Sequence, residues 1–207
     1  MINLKIAIQK SGRLNEDSLT LLKECGISIN NGKDQLMAQA SNFRLDVLYL
    51  RNSDIPQYVR DGVADIAIIG DNTEKEKKTG IRHVLDLGFS RCRLSIAVPK
   101  NVDFQDISYL QGKKIATSYP NSLKDFLTEN DIEAEIHEIS GSVEIAPNIG
   151  LADAICDLVS SGSTLFKNGL KEVYKIFESQ AILVANSGLC GEKQELLAQL
   201  VFRIKAV

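Results

Sequence analysis

A short and almost entirely apolar run, Asp-Ile-Ala-Ile-Ile-Gly at residues 65–70, places the strongest constraint on the fold. A run this short and apolar is typical of a β-strand that is covered on both faces. Residues 4–8 and 46–50 are similar strand-like segments, and a helical pattern that ends at Gly26 lies between them. This alternation of strands and helices predicts an α/β fold with a largely parallel sheet.

The pattern recurs further along the chain and predicts a second α/β unit. Strand-like segments occupy residues 94–99, 114–118 and 135–139, and two return strands are predicted at 173–177 and 181–185. We therefore expect one lobe at residues 1–90 and a second at 91–185. The last segment, 186–207, contains a helical pattern that we expect to return to the first lobe.

Polar residues follow predicted strands at four places, two in each lobe. Ligands of open α/β sheets bind beyond the carboxyl ends of the strands, so a cleft between the lobes is the economical way to use all four junctions. The junctions lie at residues 9–13, 70–72, 118–121 and 160–164.

The junction with the most informative chemistry follows the apolar segment that begins at residue 152. This segment carries Asp153 and Asp157, and it runs into a turn made of Ser160, Ser161, Gly162, Ser163 and Thr164. Backbone N–H groups and hydroxyls in such a turn can bind an anion, while a nearby carboxylate accepts hydrogen bonds from sugar hydroxyls. The combination suits a ribose 5-phosphate, although a plain turn with an N-cap is an open alternative.

Composition and charge argue against several other classes of protein. The net charge of −3 does not favour a nucleic-acid partner. The sequence has no apolar run that could cross a membrane and no signal-peptide pattern at its start. Its four cysteines include no Cys-x-x-Cys pair, so we expect a reducing cytoplasm and no zinc site. We expect His83 and His137 to be solvated surface residues.

Several short motifs occur in an order that resembles one enzyme family. They are Gln-Lys-Ser-Gly-Arg-Leu at 9–14, Ile-Ile-Gly-Asp-Asn at 68–72, Cys-Arg-Leu-Ser at 92–95, Ala-Thr-Ser-Tyr-Pro at 116–120, Gly-Ser-Val-Glu at 141–144 and Gly-Leu-Ala-Asp-Ala-Ile-Cys-Asp-Leu-Val at 150–159. This ordered set resembles the ATP phosphoribosyltransferases, the first enzymes of histidine biosynthesis. The resemblance covers almost the whole chain.

The resemblance implies two periplasmic-binding-protein-like (type II) lobes with an interdomain cleft. It also implies Mg²⁺-dependent transfer of the phosphoribosyl group from phosphoribosyl pyrophosphate to N1 of ATP, and at least a homodimer. Matching the motif residue by residue assigns the phosphoribosyl pyrophosphate to Asp153, Asp157, Ser160, Ser161, Gly162, Ser163 and Thr164. We expect the Mg²⁺ to be held mainly by substrate phosphates rather than by protein ligands.

Arg13 and Lys10 are the expected catalytic residues, because cations must stabilise the departing pyrophosphate. Short-form members of the family carry an arginine where this chain reads Lys33-Asp34-Gln35-Leu36, and Lys33 could compensate for it. Further nucleotide-binding candidates are Gln9, Gly12, Asp71, Asn72, Arg93, Ser95, Ser118 and Tyr119, and the last six each have an equally weighted structural alternative. For Arg93 that alternative is an ion pair with an acid such as Asp86.

Two alternatives to an active enzyme follow from the same pattern. A two-lobed nucleotide- or anion-binding module without chemistry would share the fold. A catalytically silent core kept for assembly is the other. The chain resembles the long form of the family without its C-terminal regulatory domain, as an isolated core or a naturally short protein. A separate regulatory domain or subunit therefore remains a possible partner.

Overall fold

The structure is a computed structural model that describes residues 2–30 and 35–207. Within these residues no helix is long and apolar enough to cross a membrane. The chain divides into two compact units: the residues up to Ser90 together with Gln180–Val207, and Arg91–Ser179.

The first unit contains a six-stranded sheet with helices on its faces. Its strands, in chain order, are β1 (Leu4–Gln9), β2 (Met37–Gln39), β3 (Leu45–Leu50), β4 (Ile66–Gly70), β5 (Arg82–Asp86) and a later strand, Ala181–Ala185. Its helices are α1 (Arg13–Glu24), α2 (Ile55–Arg60), α3 (Asp71–Lys77) and a C-terminal helix, Gly191–Ile204.

The second unit contains a five-stranded sheet and shorter helices. Its strands are β6 (Cys92–Pro99), β7 (Lys114–Thr117), β8 (Glu135–Glu138), β9 (Ala154–Val159) and β10 (Leu170–Ser179). Its helices are α4 (Pro120–Glu129) and α5 (Ser163–Lys167), with 3₁₀ turns at Ile107–Leu110, Val143–Ile145 and Pro147–Ile149. The late strand and the C-terminal helix of the first unit are therefore β11 and α6.

The first sheet has the strand order β2-β3-β1-β4-β11-β5. The central strands β3, β1 and β4 are parallel, and β4 is fully buried over Ile66–Ile69, as the apolar run predicts. One face of the sheet packs on α1 and α6 through residues such as Leu22 and Leu200, which are wholly buried. Because β1 and β3 are parallel neighbours, their carboxyl ends meet at the same edge.

The segment 181–185 is where the predicted lobe boundary is wrong. We expected it to be a return strand of the second unit, but β11 lies in the first sheet, antiparallel to both β4 and β5. All five of its residues are buried there. Burial between two strands of the first sheet outweighs its closeness in sequence to β10.

The second sheet has the order β10-β6-β9-β7-β8, in which β7, β8 and β9 are parallel. β6 runs antiparallel to β9, and in this register Arg93 lies opposite Val159 and Ser95 lies opposite Asp157. Helix α4 covers one face through Leu123, Phe126 and Leu127. The polar loop after β9 lies at the carboxyl end of a strand at the centre of this sheet.

Candidate active site

The loop Ser160–Thr164 follows directly on β9, as predicted, and leads into α5. Gly162 has a φ of +77°, which a glycine adopts without strain. The Ser161 and Ser163 hydroxyls lie 3.0 Å apart. The N-cap of α5 is Gly162, which has no side chain to cap the helix, while the Ser163 N–H donates to the Ser161 Oγ at 3.4 Å. The loop therefore has backbone donors and hydroxyls that an anion can use.

A cavity of about 190 Å³, open to the surface, lies beside this loop and the end of β9. Its lining combines hydroxyls, backbone and two carboxylates, and no lysine or arginine is among the described residues that form it. The lining residues are Glu144, Asp157, Leu158, Val159, Ser160, Ser161, Gly162, Thr164 and Leu165. The cavity thus offers hydrogen-bond donors and acceptors within one volume of the second unit.

Asp157 is the more unusual of the two carboxylates. Burial, with a smaller contribution from the negative charge of Glu144, raises the pKa of its side chain to about 6, although the Leu158 N–H that donates to Oδ1 at 2.8 Å opposes the rise. A carboxylate in this setting lacks its full hydration, so it gains from a ligand that donates hydrogen bonds.

Asp153 is not among the residues that line this cavity, unlike Asp157, with which it was expected to act. It precedes β9, whereas the loop follows β9. At about 3.3 Å per residue of extended chain, Asp153 and Asp157 lie about 13 Å apart. The Asp153 Oδ2 accepts the Lys114 N–H at 2.9 Å and thereby fastens the start of β7. Its position indicates a structural role.

Glu144 is a site residue that the sequence reasoning did not single out. It lies in the 3₁₀ turn Val143–Ile145 and lines the cavity with Asp157. The sequence signal that could have indicated Glu144 was its place in the Gly-Ser-Val-Glu motif. That this motif lies beside the loop depends on tertiary structure.

Arg93 and Ser95 are not available to a nucleotide in the way we expected. The Arg93 Nε and Nη2 donate to the two carboxylate oxygens of Glu172, each at 2.5 Å, and Nη1 donates to the Ser160 carbonyl at 3.1 Å. Ser95 is fully buried, and its hydroxyl donates to Glu172 Oε1 at 2.8 Å. The ion pair that we considered for Arg93 exists, but with Glu172 instead of Asp86.

Lys10 and Arg13 lie at the strand-to-helix junction of the first unit. Lys10 follows β1 and Arg13 begins α1, and both are exposed. Gly12 precedes the helix with a φ of +90°, and the Gln9 carbonyl accepts the Asn15 side-chain N–H at 2.6 Å. Nitrogen donors and positive charge are thus concentrated at this edge of the first sheet.

Arg51 is a third cation at the same edge, and it was not among the residues expected from the sequence. It follows β3, it is exposed, and the Lys10 N–H donates to the carbonyl of the preceding Leu50 at 2.7 Å. The parallel register that pairs Gln9 with Leu50 brings the two strand ends together. Only knowledge of strand order could have revealed this neighbour.

The remaining candidates of the first unit have structural partners. Asp71 pairs with Lys75 at 2.5 Å at the start of α3. Asn72 is only 4% exposed, and its Oδ1 would lie 2.3 Å from a Cβ on Gly70. Asn72 is therefore packed against the turn that joins β4 to α3.

Two candidates of the second unit lie at the end of β7. The Ser118 hydroxyl donates to the Ile139 carbonyl at 2.6 Å, and Tyr119 precedes α4 while its N–H donates to Thr117 Oγ1 at 2.8 Å. Both side chains are partly exposed. Ser118 joins the ends of β7 and β8 and leaves room for a further contact.

Lys33 lies outside the described residues, so its expected compensating role stays a prediction. Within residues 2–30 and 35–207, no group of three or more His, Cys, Asp or Glu side chains is arranged to hold a metal ion. His83 is exposed and lies 2.8 Å from the Asp86 carboxylate.

Comparison with known proteins shows which family this chain resembles. The family model of ATP phosphoribosyltransferase matches residues 51–206. The ATP phosphoribosyltransferase of Cytophaga hutchinsonii is 59% identical over 204 residues, which are 99% of this chain and 71% of that protein. The enzyme of Bacteroides thetaiotaomicron is 52% identical, with 99% of this chain and 72% of that protein covered.

Solved structures support the same fold. The ATP phosphoribosyl transferase (HisG:HisZ) complex from Thermotoga maritima matches with a TM-score of 0.84 and 29% identity, over 98% of this chain and 96% of that one. A substrate-binding protein of an amino acid ABC transporter matches with a TM-score of 0.62 and 13% identity, over 98% and 91% of the two chains, which shows the fold alone. Two α/β units of the type II periplasmic-binding-protein kind are thereby confirmed.

The extent and the specificity of these matches decide between an enzyme and a binding module that shares the fold. The chain belongs to the ATP phosphoribosyltransferase family, whose members transfer the phosphoribosyl group of phosphoribosyl pyrophosphate to N1 of ATP in the first step of histidine biosynthesis.

Proposed function

We propose that the cavity of the second unit holds the 5-phosphoribosyl group of phosphoribosyl pyrophosphate. The observation that carries this proposal is the mixed lining, in which the Ser160–Thr164 loop supplies donors and Asp157 and Glu144 supply acceptors. A sugar phosphate needs both, because its phosphate accepts hydrogen bonds and its hydroxyls donate them.

Asp157 is the residue that we assign to the ribose hydroxyls. Its raised pKa reflects the burial of the ionised form, and hydroxyl donors would stabilise that form. Glu144 supplies a second acceptor on the same lining. Neutral donors in the loop hold the 5-phosphate without a lysine or arginine that would also attract other anions.

Lys10, Arg13 and Arg51 are the residues that we assign to the pyrophosphate. The reaction needs no nucleophilic side chain, because N1 of the adenine is the attacking atom. The bond from C1 of the ribose to the pyrophosphate oxygen breaks while N1 forms the new bond, so negative charge grows on the departing pyrophosphate. Cations placed where this charge grows lower the barrier. Arginine adds a two-point grip on phosphate oxygens.

Mg²⁺ fits this scheme as an ion that binds together with the substrate. Hard oxygen ligands are what Mg²⁺ requires, and it is often bound by substrate phosphates with few protein ligands. Glu144 and Asp157 are the carboxylates nearest to the proposed ribose, and they could add oxygens for it. The ion would offset part of the pyrophosphate charge, and Lys10 and Arg13 would offset the rest.

The adenine nucleotide is assigned to the polar junctions that retain access. These are Gln9 and Gly12 in the first unit and Ser118 and Tyr119 in the second. Asp71 remains a candidate for contact with the nucleotide, although its carboxylate already pairs with Lys75. We leave Asn72, Arg93 and Ser95 out of this set because each is buried or engaged within its own unit.

The assembled state that we propose is at least a homodimer in the cytoplasm. The Thermotoga maritima relative was solved as a HisG:HisZ complex, so a second kind of subunit is also open to this chain as a regulatory partner. Sedimentation that showed only a 22.8 kDa species would contradict the homodimer.

Ultraviolet absorbance of the purified chain tests this proposal. We expect an N1-substituted adenine signal only when ATP, phosphoribosyl pyrophosphate and Mg²⁺ are all present, with a pyrophosphatase to draw the reaction forward. An undiminished signal without Mg²⁺ would contradict the proposed role of the ion. No signal, with both substrates binding in calorimetry, would mean that the chain alone does not suffice.

A further inference from the structure

We propose that Glu172 is a positioning residue for the reaction, acting through Arg93 on the phosphate-binding loop. This inference rests on the proposed role of the Ser160–Thr164 loop and adds a residue that lies outside it. Glu172 belongs to β10 and does not line the cavity. Its influence on the substrate has to pass through the guanidinium that it holds.

The hydrogen bonds of Arg93 define this arrangement. Nε and Nη2 meet both oxygens of Glu172 at 2.5 Å, which is the two-point geometry that fixes the plane of a guanidinium. Nη1 then reaches the Ser160 carbonyl at 3.1 Å. Because the plane is fixed, the direction in which Nη1 points is fixed as well. Arg93 thus holds the first residue of the loop.

The surroundings of Glu172 fix the carboxylate in turn. Its Oε1 also accepts the hydroxyl of Ser95, which is fully buried in β6. The Arg93 contact holds the pKa of Glu172 below its usual range, with a smaller contribution from Ser95, so the carboxylate stays charged. The same contact raises the pKa of Arg93. The buried Ser95 hydroxyl is therefore linked to the loop through the side chains of Glu172 and Arg93.

The register of the sheet explains why the loop is the part affected. Arg93 lies opposite Val159, the last residue of β9, and Ser160 is the next residue along the chain. We call the contact of Glu172 with Arg93, and of Arg93 with Ser160, the clamp. The clamp sets where the loop leaves the sheet. Loop hydroxyls and N–H groups must lie within hydrogen-bond distance of the phosphate, so a shift of the exit would weaken several contacts together.

Glu172→Gln and Arg93→Lys are the variants that test the clamp. Glutamine keeps the shape but loses the charge, and lysine keeps the charge but has one nitrogen in place of the planar fork. We expect each to raise the KM for phosphoribosyl pyrophosphate about tenfold, while the KM for ATP changes less than about twofold. The control is Glu135→Gln, which removes an exposed ion pair with Lys114 in the same unit, and we expect it to leave both constants unchanged.

A double-mutant cycle separates positioning from a general structural loss. If Glu172 acts only through Arg93, adding Glu172→Gln to Arg93→Lys should raise the KM for phosphoribosyl pyrophosphate by less than about twofold more. Additive effects of the two changes would overturn the proposal, as would equal increases in both KM values. Thermal unfolding of each variant checks that it is folded.

A loop variant keeps this test distinct from the one for the proposed function. We expect Ser161→Ala combined with Thr164→Val to weaken binding of ribose 5-phosphate in calorimetry. If these changes weaken it and Glu172→Gln does not, the clamp is wrong while the loop assignment stands. If the loop changes themselves have no effect, the loop assignment is wrong, and the clamp falls with it.

Discussion

The polar edges of the two units differ in what their charged side chains contact. In the first unit, Lys10, Arg13 and Arg51 are exposed at the ends of two parallel strands. In the second unit, Arg93 is engaged by Glu172, and the cavity beside it is formed by neutral donors and carboxylates. On the proposed assignments, this contrast gives positive charge two purposes: exposed cations of the first unit act on the pyrophosphate, and Arg93 braces the loop that binds the ribose 5-phosphate.

The largest effect that tests this contrast is expected at Arg13. Replacing it by alanine should lower kcat about 10²–10³-fold, because its charge is needed where negative charge grows, and should raise the KM for phosphoribosyl pyrophosphate less than about threefold. Steady-state kinetics measures both constants. Arg60→Ala, at another exposed arginine of the first unit, is the matched control. Equal losses in binding and turnover would make Arg13 an anchor of the ground state instead.

The pH dependence of stability tests the environment of Asp157 in the second unit. Because the pKa of Asp157 is raised to about 6 in the folded chain, folding holds its proton more tightly than the unfolded chain does. This contribution to the free energy of unfolding is therefore full below about pH 4 and is lost as the pH rises through about 6, by at most about 3 kcal/mol.

Denaturant unfolding of the chain and of Asp157→Asn, compared from pH 4 to pH 7, measures this loss. We expect the variant to gain stability relative to the unaltered chain as the pH rises. A difference that stays constant over this range would contradict the environment described for Asp157.

The next effect concerns substrate binding at the same carboxylate. Asp157→Asn should lower kcat/KM for phosphoribosyl pyrophosphate about 30-fold, because ribose hydroxyls lose a charged acceptor. We expect kcat/KM for ATP, measured at saturating phosphoribosyl pyrophosphate, to change much less. Equal losses for the two substrates would show that Asp157 does not distinguish them.

The smallest effect is expected at Asp153. Asp153→Asn should change kcat/KM for phosphoribosyl pyrophosphate less than about threefold, since its carboxylate fastens the Lys114 N–H at the far end of β9. It should instead lower the free energy of unfolding by about 1 kcal/mol. A loss of kcat/KM as large as that of Asp157→Asn would return Asp153 to the substrate site.

Local chemistry explains what could be predicted from the sequence. Asp157 and the Ser160–Thr164 loop, which includes Gly162, are neighbours in the sequence. A strand that ends in a polar turn therefore specifies them together. The alternation of apolar strands with helices likewise indicates the α/β fold without knowledge of any partner. Family resemblance then supplied the substrate.

Contacts between distant segments explain what could not be predicted. Arg93 and Glu172 are 79 residues apart, and nothing in the sequence around either residue indicates that they pair. Ser95 lies on a strand whose buried face depends on its neighbours. Asp153 and Asp157 are close in sequence, but Asp153 precedes β9 and Asp157 lies within it, so the extended chain separates them. The position of β11 depends on strand order in the same way.

Inhibition by the two halves of phosphoribosyl pyrophosphate tests the central claim most directly. The inhibition constants of ribose 5-phosphate and of pyrophosphate with Mg²⁺ would be measured for the unaltered chain, for Lys10→Ala and for Ser161→Ala with Thr164→Val. We predict that the Lys10 change weakens only pyrophosphate and that the loop changes weaken only ribose 5-phosphate. If both variants weaken both halves equally, the division of labour between the two edges is wrong.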